Sequence, residues 1–440
     1  MHVLVAAHDF YPDPGSGGTG RYVYETARRL VDRGHQVSVI TRRRGDVPRR
    51  GTVEGIQVAR YDCSIAEEWA GSIVGQLPRA ARATASAVDD LTGGPPDLFS
   101  VQGHLTGLLT DQAVDTDVPR IVTFHSPWPT EYRIRTRESE LAPWRRTLNV
   151  ELRLLAERRL LSRCDRVVTL SKYMGEECRR VYGLPADANH AVIPGGVDVE
   201  RFRPDAGTYA PIAGSADDTS DATIGCVSND NSISFLTVRR LSKRMGHDLL
   251  LEAFAEVLDR HPGARLFVAG DGPLRDDLEC RAAELGVDDR TTFLGYVPDE
   301  ELPAAYATAD VFVLPTTELE GFGLATLEAL SSGTPVVGTP VGGTVEVLGA
   351  LVDRQSVPDE LLLSTVDAIE LARGMATLAD LDSDDLASLS RTCRRYARER
   401  YMWERTVDQL EEYYRTVTRS SSASRPAGDS RTRDSRTPWR

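Results

Sequence analysis

The sequence predicts an α/β protein made of two Rossmann-like parallel-sheet domains facing each other across a cleft. Three observations predict it. A chain of 440 residues is too long for one ordinary core and calls for two or three domains. Both halves alternate short apolar strands with amphipathic helices, the pattern of repeated βαβ units. Between the halves, 205–231 is rich in Gly, Ser, Ala, Asp and Thr and has little periodicity, as a flexible linker does.

Val3–Ala7 reads as the first buried strand, Asp9–Gly20 as a loop, Arg21–Arg33 as a helix and Gln36–Thr41 as the second strand. Gly15, Gly17, Gly18 and Gly20 stand at the loop–helix junction. Bare backbone there lets N–H groups approach an anion, and the helix N-terminus favours negative charge. A structural turn uses glycines the same way, and the spacing is not the GxGxxG of dinucleotide sites. Asp97–Val101 and Arg120–Phe124 read as further strands, each delivering a histidine at its end, His104 and His125. Either one alone reads as a hydrogen-bonded histidine. Two at equivalent strand ends point to a ligand, because parallel sheets bind at the carboxyl ends of their strands.

Ser126–Arg163 mingles Trp128 and Trp144 with Arg133, Arg135, Arg137, Arg145, Arg146 and Arg153. It reads as a surface for an anionic acceptor or lipid headgroups, or as a solvated helix paired with glutamates. Asp165–Leu170 and Ala191–Ile193 are strands. The second half repeats the alternation: strand Ile233–Val238, helix Gly246–Arg260, and strands Arg265–Ala269 and Thr291–Leu294. At the end of Ile233–Val238, Arg239-Arg240-Leu241-Ser242-Lys243-Arg244 packs four cations into six residues. Arg and Lys hold phosphate oxygens by charge-assisted hydrogen bonds, so the run reads as a diphosphate clamp; a solvated charge run is the alternative.

Val311–Glu346 is the centre of the second half. Strand Val311–Leu314 stops at Pro315, and a loop carries Glu318 and Glu320. Gly321 and Gly323 bracket Phe322, Leu324–Leu330 opens a helix containing Glu328, Gly333 ends it, and Val336-Val337 begins another strand. Glu320 and Glu328 would lie ~12 Å apart along a helix, too far to share a proton. They fit two ends of one elongated ligand, such as a sugar and a ribose. Ser383–Val417 reads as one long helical region whose aromatics dock on another surface. From Arg419 the chain is low in hydrophobicity and reads as a disordered tail.

The charge is −14, with 66 acidic and 52 basic residues, which argues against a general nucleic-acid binder. Lys172 and Lys243 are the only lysines. Acid excess with Arg in place of Lys fits a halophilic protein, or a GC-rich genome. The six cysteines are scattered without CxxC, which favours reduced thiols in the cytoplasm over disulfides or zinc. The apolar core of Met1–Phe10 is too short for a signal peptide, and no run reaches a membrane span.

Taken together these residues carry a pattern. The chain resembles the retaining GT-B glycosyltransferases of the large family-4 type (glycosyl transferases group 1). The most specific part is Glu320-Gly-Phe-Gly-Leu-Ala-Thr-Leu-Glu328, an E-x7-E signature. Leu314-Pro315, Gly333-Thr-Pro335, Gly342-Gly343 with Glu346, PGGVD with F-x-P over Pro194–Pro204, RRL, GDGP and FLGYV occur in matching order. The resemblance implies a GT-B fold whose C-terminal helix crosses back to the N-terminal domain. Its expected parts are 1–204 on the acceptor side, the linker 205–231, 232–395 for the nucleotide sugar, a crossing helix 396–418 and a tail 419–440.

It further implies roles. Glu320 would meet the donor sugar near the reacting centre, and Phe322, Gly323 and Leu324 would present backbone to it. Glu328 would hold the ribose hydroxyls and Arg240 the diphosphate. The Gly17-Gly18 loop would close over phosphates or acceptor, His125 would lie by the transferred sugar, and His104 on the acceptor side. No metal or cofactor is expected. Two positions depart from the family. Met245-Gly246 stands where Lys-Gly is common, leaving Lys243 or Arg244 to supply the second cation. Gly195 replaces an Asn, and both tolerate a left-handed turn. The expected activity is transfer from a UDP- or GDP-linked sugar to a hydroxyl of a glycan, lipid or small metabolite, with retention. The alternatives are a nucleotide-sugar epimerase, which needs no acceptor, and a non-catalytic sugar-nucleotide-binding partner. Expected localisation is cytoplasmic, with peripheral contact at the inner membrane face.

Overall fold

A computed structural model describes residues 1–63, 75–92, 94–139, 141–183, 190–214, 233–354 and 357–423. Its strands are β1 His2–Ala6, β2 Gln36–Arg42, β3 Arg50–Val53, β4 Ile56–Tyr61, β5 Leu98–Val101, β6 Arg120–Phe124, β7 Arg166–Thr169 and β8 His190–Val192, then β9 Ser234–Val238, β10 Arg265–Ala269, β11 Thr291–Gly295, β12 Val311–Leu314 and β13 Val336–Gly338. The helices are α1 Gly18–Asp32, α2 Leu77–Thr92, α3 His104–Asp111, α4 Trp128–Arg135, α5 Pro143–Leu161, α6 Lys172–Tyr182, α7 Ala210–Ala213, α8 His247–Arg260, α9 Arg275–Glu284, α10 Leu302–Thr308, α11 Leu324–Ser331, α12 Gly343–Val352, α13 Ala368–Ala379, α14 Ser383–Arg400 and α15 Trp403–Ala423.

The strands form two sheets, ordered β3-β4-β2-β1-β5-β6-β7-β8 and β11-β10-β9-β12-β13. Every pairing is parallel except the β3–β4 hairpin, which periodicity did not reveal. The central strands are buried on both faces, as helix-covered parallel sheets require, so they read as continuous apolar runs. Strand order reverses between β1 and β5 in the first sheet and between β9 and β12 in the second. Those two switch points are where such sheets bind ligands.

The edges carrying them meet. Ser171, after β7, donates to the Gly321 carbonyl at 2.7 Å. A Cβ on Gly321 would come within 2.9 Å of the His125 carbonyl, and one on Gly18 within 3.8 Å of Leu324. The α6 N-terminus is capped from the other domain, with Glu346 accepting from Lys172 N at 3.0 Å and Tyr173 N at 2.8 Å.

The region 383–417 is not one helix. It breaks at Tyr401–Met402, where Met402 bridges to Val197 and the chain passes back to the first domain. The crossing helix therefore starts at Trp403 rather than 396, and runs to Ala423, past the start expected for the tail. It docks on α1 through Arg29–Glu404 (2.9 Å), Arg33–Glu411 (2.9 Å) and the Tyr22–Trp403 ring contact. Arg394 of α14 donates to the carbonyls of Val199, Phe202 and Ser331, tying the preceding connection to the second domain. Of the expected linker and tail, 215–231 and 424–440 lie outside the described residues, as does Cys226. The other five cysteines are free thiols. Among the described residues no helix is long and apolar enough to cross a membrane, and no cluster of His, Cys, Asp or Glu could hold a metal ion.

Candidate active site

The loop after β12 is shaped by backbone that little else could adopt. Leu319 takes φ 55°, in the left-handed region, and Gly323 caps α11 at φ 87°. Gly342 approaches so closely that a Cβ would lie 2.0 Å from the Glu320 carbonyl, and Gly343 N donates to that same oxygen at 2.9 Å. Glu320 thus sits on a rigid loop just outside the helix, so helical rise does not set its distance to Glu328.

Glu320 is buried, 8% exposed. Its Oε2 receives Arg239 Nη2 at 2.6 Å and the Thr316 hydroxyl at 3.2 Å. Burial, the largest single influence, raises its pKa, but the charge and hydrogen bond of Arg239, with the Arg244 charge and the Thr316 hydroxyl, together outweigh it and the carboxyl falls below its ordinary range. Arg239 is therefore the cation paired with Glu320. Arg240, expected to grip the diphosphate, follows it as an exposed side chain. Arg244 donates to the Leu319 carbonyl at 2.9 Å and adds its charge to the field on Glu320. Lys243 is exposed and pairs with Glu138 of the first domain at 3.2 Å. Of the two residues left open for the second cation, Arg244 is the one beside Glu320. Met245 lays its thioether 2.8 Å from the Arg239 guanidinium.

Glu328 accepts from Tyr306 Oη at 3.1 Å. Burial raises its pKa to about 7, partly offset by the Arg21 charge and the Tyr306 hydroxyl. Arg21 comes from the first turn of α1, just after Gly17 and Gly18, which are its N-cap and first residue. It also reaches Asp299, on the loop after β11, at 2.9 Å. Asp299 collects Tyr11 Oη at 2.8 Å and Arg201 at 2.6 Å as well. Phe322 is buried, edge-on to Tyr401 with centroids 6.0 Å apart, and packs with Leu324 against Gly195. Gly195 does not adopt positive φ; a Cβ there would lie 3.0 Å from the Phe322 ring. Close packing, not turn conformation, is what the glycine serves.

Across the cleft, His125 Nε2 lies 2.9 Å from Gln102 Oε1, with its ring edge-on to Tyr22 at 5.2 Å. Burial, with His104 nearby, lowers its pKa to about 3, so it is neutral and donates to Gln102. His104 opens α3 and lies 2.7 Å from Glu157 Oε1, stacked on Trp128 at 5.8 Å. Burial, the largest single influence, lowers its pKa, but the charge and hydrogen bond of Glu157, with Glu131 and the Ser126 backbone, together outweigh it and the net shift is upward. At the end of β1, His8 keeps 38% of its side chain open to the cleft. Burial lowers its pKa to about 3, helped by repulsion from Arg42, Arg44, His104 and Arg135. Arg44 and Arg42 share the carboxylate of Asp9, at 2.7 and 3.9 Å. Cations outnumber carboxylates here. The strand-end rule applied to His104 and His125 holds for His8 too, and Arg239 lies in the four-cation run that the sequence marks; Arg21, Arg42 and Asp299 carry no comparable sequence signal of their own.

The site therefore has one wall of Glu320, Arg239, Arg244 and Glu328. The opposite wall holds a helix N-terminus, neutral His125 and a cationic recess. Residues 226–400 match the family Glycosyl transferases group 1, and 16–201 match Glycosyltransferase Family 4. A D-inositol 3-phosphate glycosyltransferase of Saccharomonospora viridis is 31% identical over 417 residues, 91% of this chain and 89% of that one. A mannosylfructose-phosphate synthase of Agrobacterium fabrum is 30% identical over 373 residues, 78% of this chain and 75% of that one. A GDP-mannose-dependent phosphatidylinositol monomannoside mannosyltransferase of Mycobacterium tuberculosis is 30% identical over 269 residues, 59% of this chain and 63% of that one. Among solved structures, sucrose-phosphate synthase of Thermosynechococcus elongatus superposes with TM-score 0.74 at 23% identity, covering 95% of this chain and 99% of that one. Anabaena Alr3699/HepE in complex with UDP and glucose superposes with TM-score 0.68 at 18% identity, covering 94% and 100%.

Proposed function

The chain belongs to the group 1, family-4 glycosyltransferases, and from that membership we propose that it moves a hexosyl group from a UDP- or GDP-linked sugar to a hydroxyl of a phosphorylated sugar or polyol, with retention at the anomeric carbon. It is a hexosyltransferase of GT-B fold. The observation that carries the donor reading is the Glu320–Arg239 ion pair at the switch point of the second sheet. A carboxylate held ionised beside two guanidiniums suits a donor with sugar hydroxyls at one end and a diphosphate at the other.

In this reading Arg239, Arg244 and the α11 N-terminal amides stabilise the leaving diphosphate. Glu320 orients the transferred sugar, Glu328 receives the ribose, and Phe322, Gly323 and Leu324 line the donor. His125, neutral and fixed by Gln102, lies by the anomeric carbon. Gly17 and Gly18 bring the α1 N-terminus over the phosphates, and the acceptor hydroxyl attacks the face that the diphosphate leaves. The acceptor phosphate is assigned to the recess of His8, Arg42, Arg44 and Arg135. The names of two relatives support this, the mannosylfructose-phosphate synthase and the D-inositol 3-phosphate glycosyltransferase.

Metal independence belongs to the same proposal: with guanidiniums on the leaving group, turnover in excess EDTA should equal that with added magnesium or manganese. So does a cytoplasmic, salt-adapted enzyme, where nucleotide sugars are made and where an acidic surface remains hydrated. The deciding experiment is a thermal-shift panel of UDP- and GDP-sugars. Turnover follows, on inositol phosphate, hexose phosphates and their unphosphorylated counterparts. Equal rates with and without the phosphate would remove the acceptor assignment. Product formed from donor alone would favour epimerisation.

A further inference from the structure

Up to Glu157, helix α5 reverses the usual pattern of burial, before Leu160 and Leu161 pack inward at its end. There its buried face carries Asn149, Arg153 and Glu157, at 0%, 3% and 0% exposure. These groups hold the acceptor wall. Arg153 lies 3.8 Å over the Tyr132 ring and 5.2 Å over Trp128, and Glu157 holds His104, the Trp128 amide and the Tyr182 hydroxyl. The outward face carries Trp144, Leu148, Leu152 and Leu155, exposed by 59%, 42%, 43% and 59%. Their spacing of four, four and three residues puts them on one stripe. Half of the eight large apolar side chains exposed among the described residues lie on this one helix, so the stripe is not the usual scatter.

The charge that flanks the stripe is mostly positive. Arg145, Arg158 and Arg159 are exposed beside it, against a single exposed acid, Glu151. In a chain of net charge −14 this is a local reversal. We propose that the outward face of α5 docks on an anionic lipid bilayer, lying in the interface with Trp144, Leu148, Leu152 and Leu155 immersed and the three arginines on lipid phosphates. Charge complementarity selects this occupant over a second copy of the chain. A two-fold pairing of α5 on this stripe, antiparallel or parallel, would bring the arginines at its ends against arginines of the other copy, like against like. Because the same helix holds the acceptor wall from behind, docking sets the cationic recess beside the lipid headgroups. The inference stands apart from the donor assignment.

The test is flotation of the full chain with phosphatidylglycerol-rich vesicles and with pure phosphatidylcholine vesicles, at the lowest salt at which its circular dichroism is that of the folded chain. The wild type should float with the first and not the second. Leu148→Gln with Leu155→Gln should cut partitioning by about ten-fold or more. Arg158→Glu with Arg159→Glu should do so by removing the preference for anionic lipid, and it reads out the surface even if the leucine pair misfolds. Turnover on a soluble acceptor should be unchanged in both. Two results would overturn the proposal: failure of the wild type to float with either vesicle, or size-exclusion showing a wild-type dimer that the leucine pair dissociates.

Discussion

Replacing Arg239 with Ala tests the site most directly, because Arg240 beside it is a built-in control. Arg239 and Glu320 bury their side chains to 8% and 11% exposure and meet at 2.6 Å. Removing one partner of a buried pair leaves a buried charge and costs about 3–5 kcal/mol of stability. Loss of one fixed donor to a developing negative charge lowers kcat by about 10²–10³-fold. Arg239→Ala should therefore both lower the melting temperature and lose nearly all turnover, while Arg240→Ala, on an exposed side chain, should stay near wild type in both. The pH dependence gives an independent sign. In the wild type the Glu320 pKa is depressed below its unfolded value. Its contribution is present above the unfolded pKa and is lost as pH falls through the folded one. In Arg239→Ala burial would dominate, the folded pKa would rise above the unfolded one, and stability would instead fall as pH rises through the weakly acid range. Melting curves against pH, with kcat and KM for the donor, read all of this. Near-wild-type turnover in Arg239→Ala, or an equal loss in Arg240→Ala, would refute the assignment.

Glu328 predicts a second pH effect. Its pKa is raised to about 7 from an ordinary 4.5, so between those values the native state holds a proton the unfolded chain has lost. Stability should fall as pH rises through that window, by up to about 3 kcal/mol in total. Glu328→Gln should flatten the melting-temperature profile there and raise donor KM about ten-fold or more. Arg44→Ala should raise KM for a phosphorylated acceptor about ten-fold and leave donor KM unchanged; an equal effect on an unphosphorylated acceptor would count against the recess. Salt adaptation predicts reversible loss of the fold, followed by circular dichroism, on dilution from molar salt, and full stability in dilute buffer would remove it.

The fold was legible because its strands are buried on both faces and punctuated by Gly and Pro. The Pro315 stop, the Gly323 cap and the Gly333 exit each mark an element boundary in one residue. What escaped was direction. Arg239 and Arg240 are chemically identical neighbours, and only the register of β9 against β10 and β12 decides which one meets Glu320. The break at Tyr401–Met402 was hidden because 383–417 contains neither Gly nor Pro; tertiary docking of Trp403 against Gly196 and Tyr22 ends the helix there. Trp128 and Trp144 looked equivalent in the sequence, yet one stacks on His104 and the other faces outward. The β3–β4 hairpin was missed because Arg50–Val53 is an exposed edge strand without an apolar face.

The contacts that bridge the cleft differ in what they can contribute to closure. Arg137–Glu318 and Lys243–Glu138 span it, but their side chains are 57% and 36%, and 60% and 66%, exposed. Such pairs contribute little and are screened by salt. Asp299 is different. It is half-buried and gathers a tyrosine and an arginine from the first domain and Arg201 from the connection between domains. Glu346 is held by two backbone amides of α6. Closure thus rests on carboxylates of the second domain received by fixed donors of the first, and one of those donors, Arg21, also bears on Glu328. The residue that steadies the closed cleft is the one whose charge keeps the Glu328 carboxyl from rising further. Domain closure and the ionisation of the Glu328 carboxylate are therefore two consequences of where a single guanidinium sits.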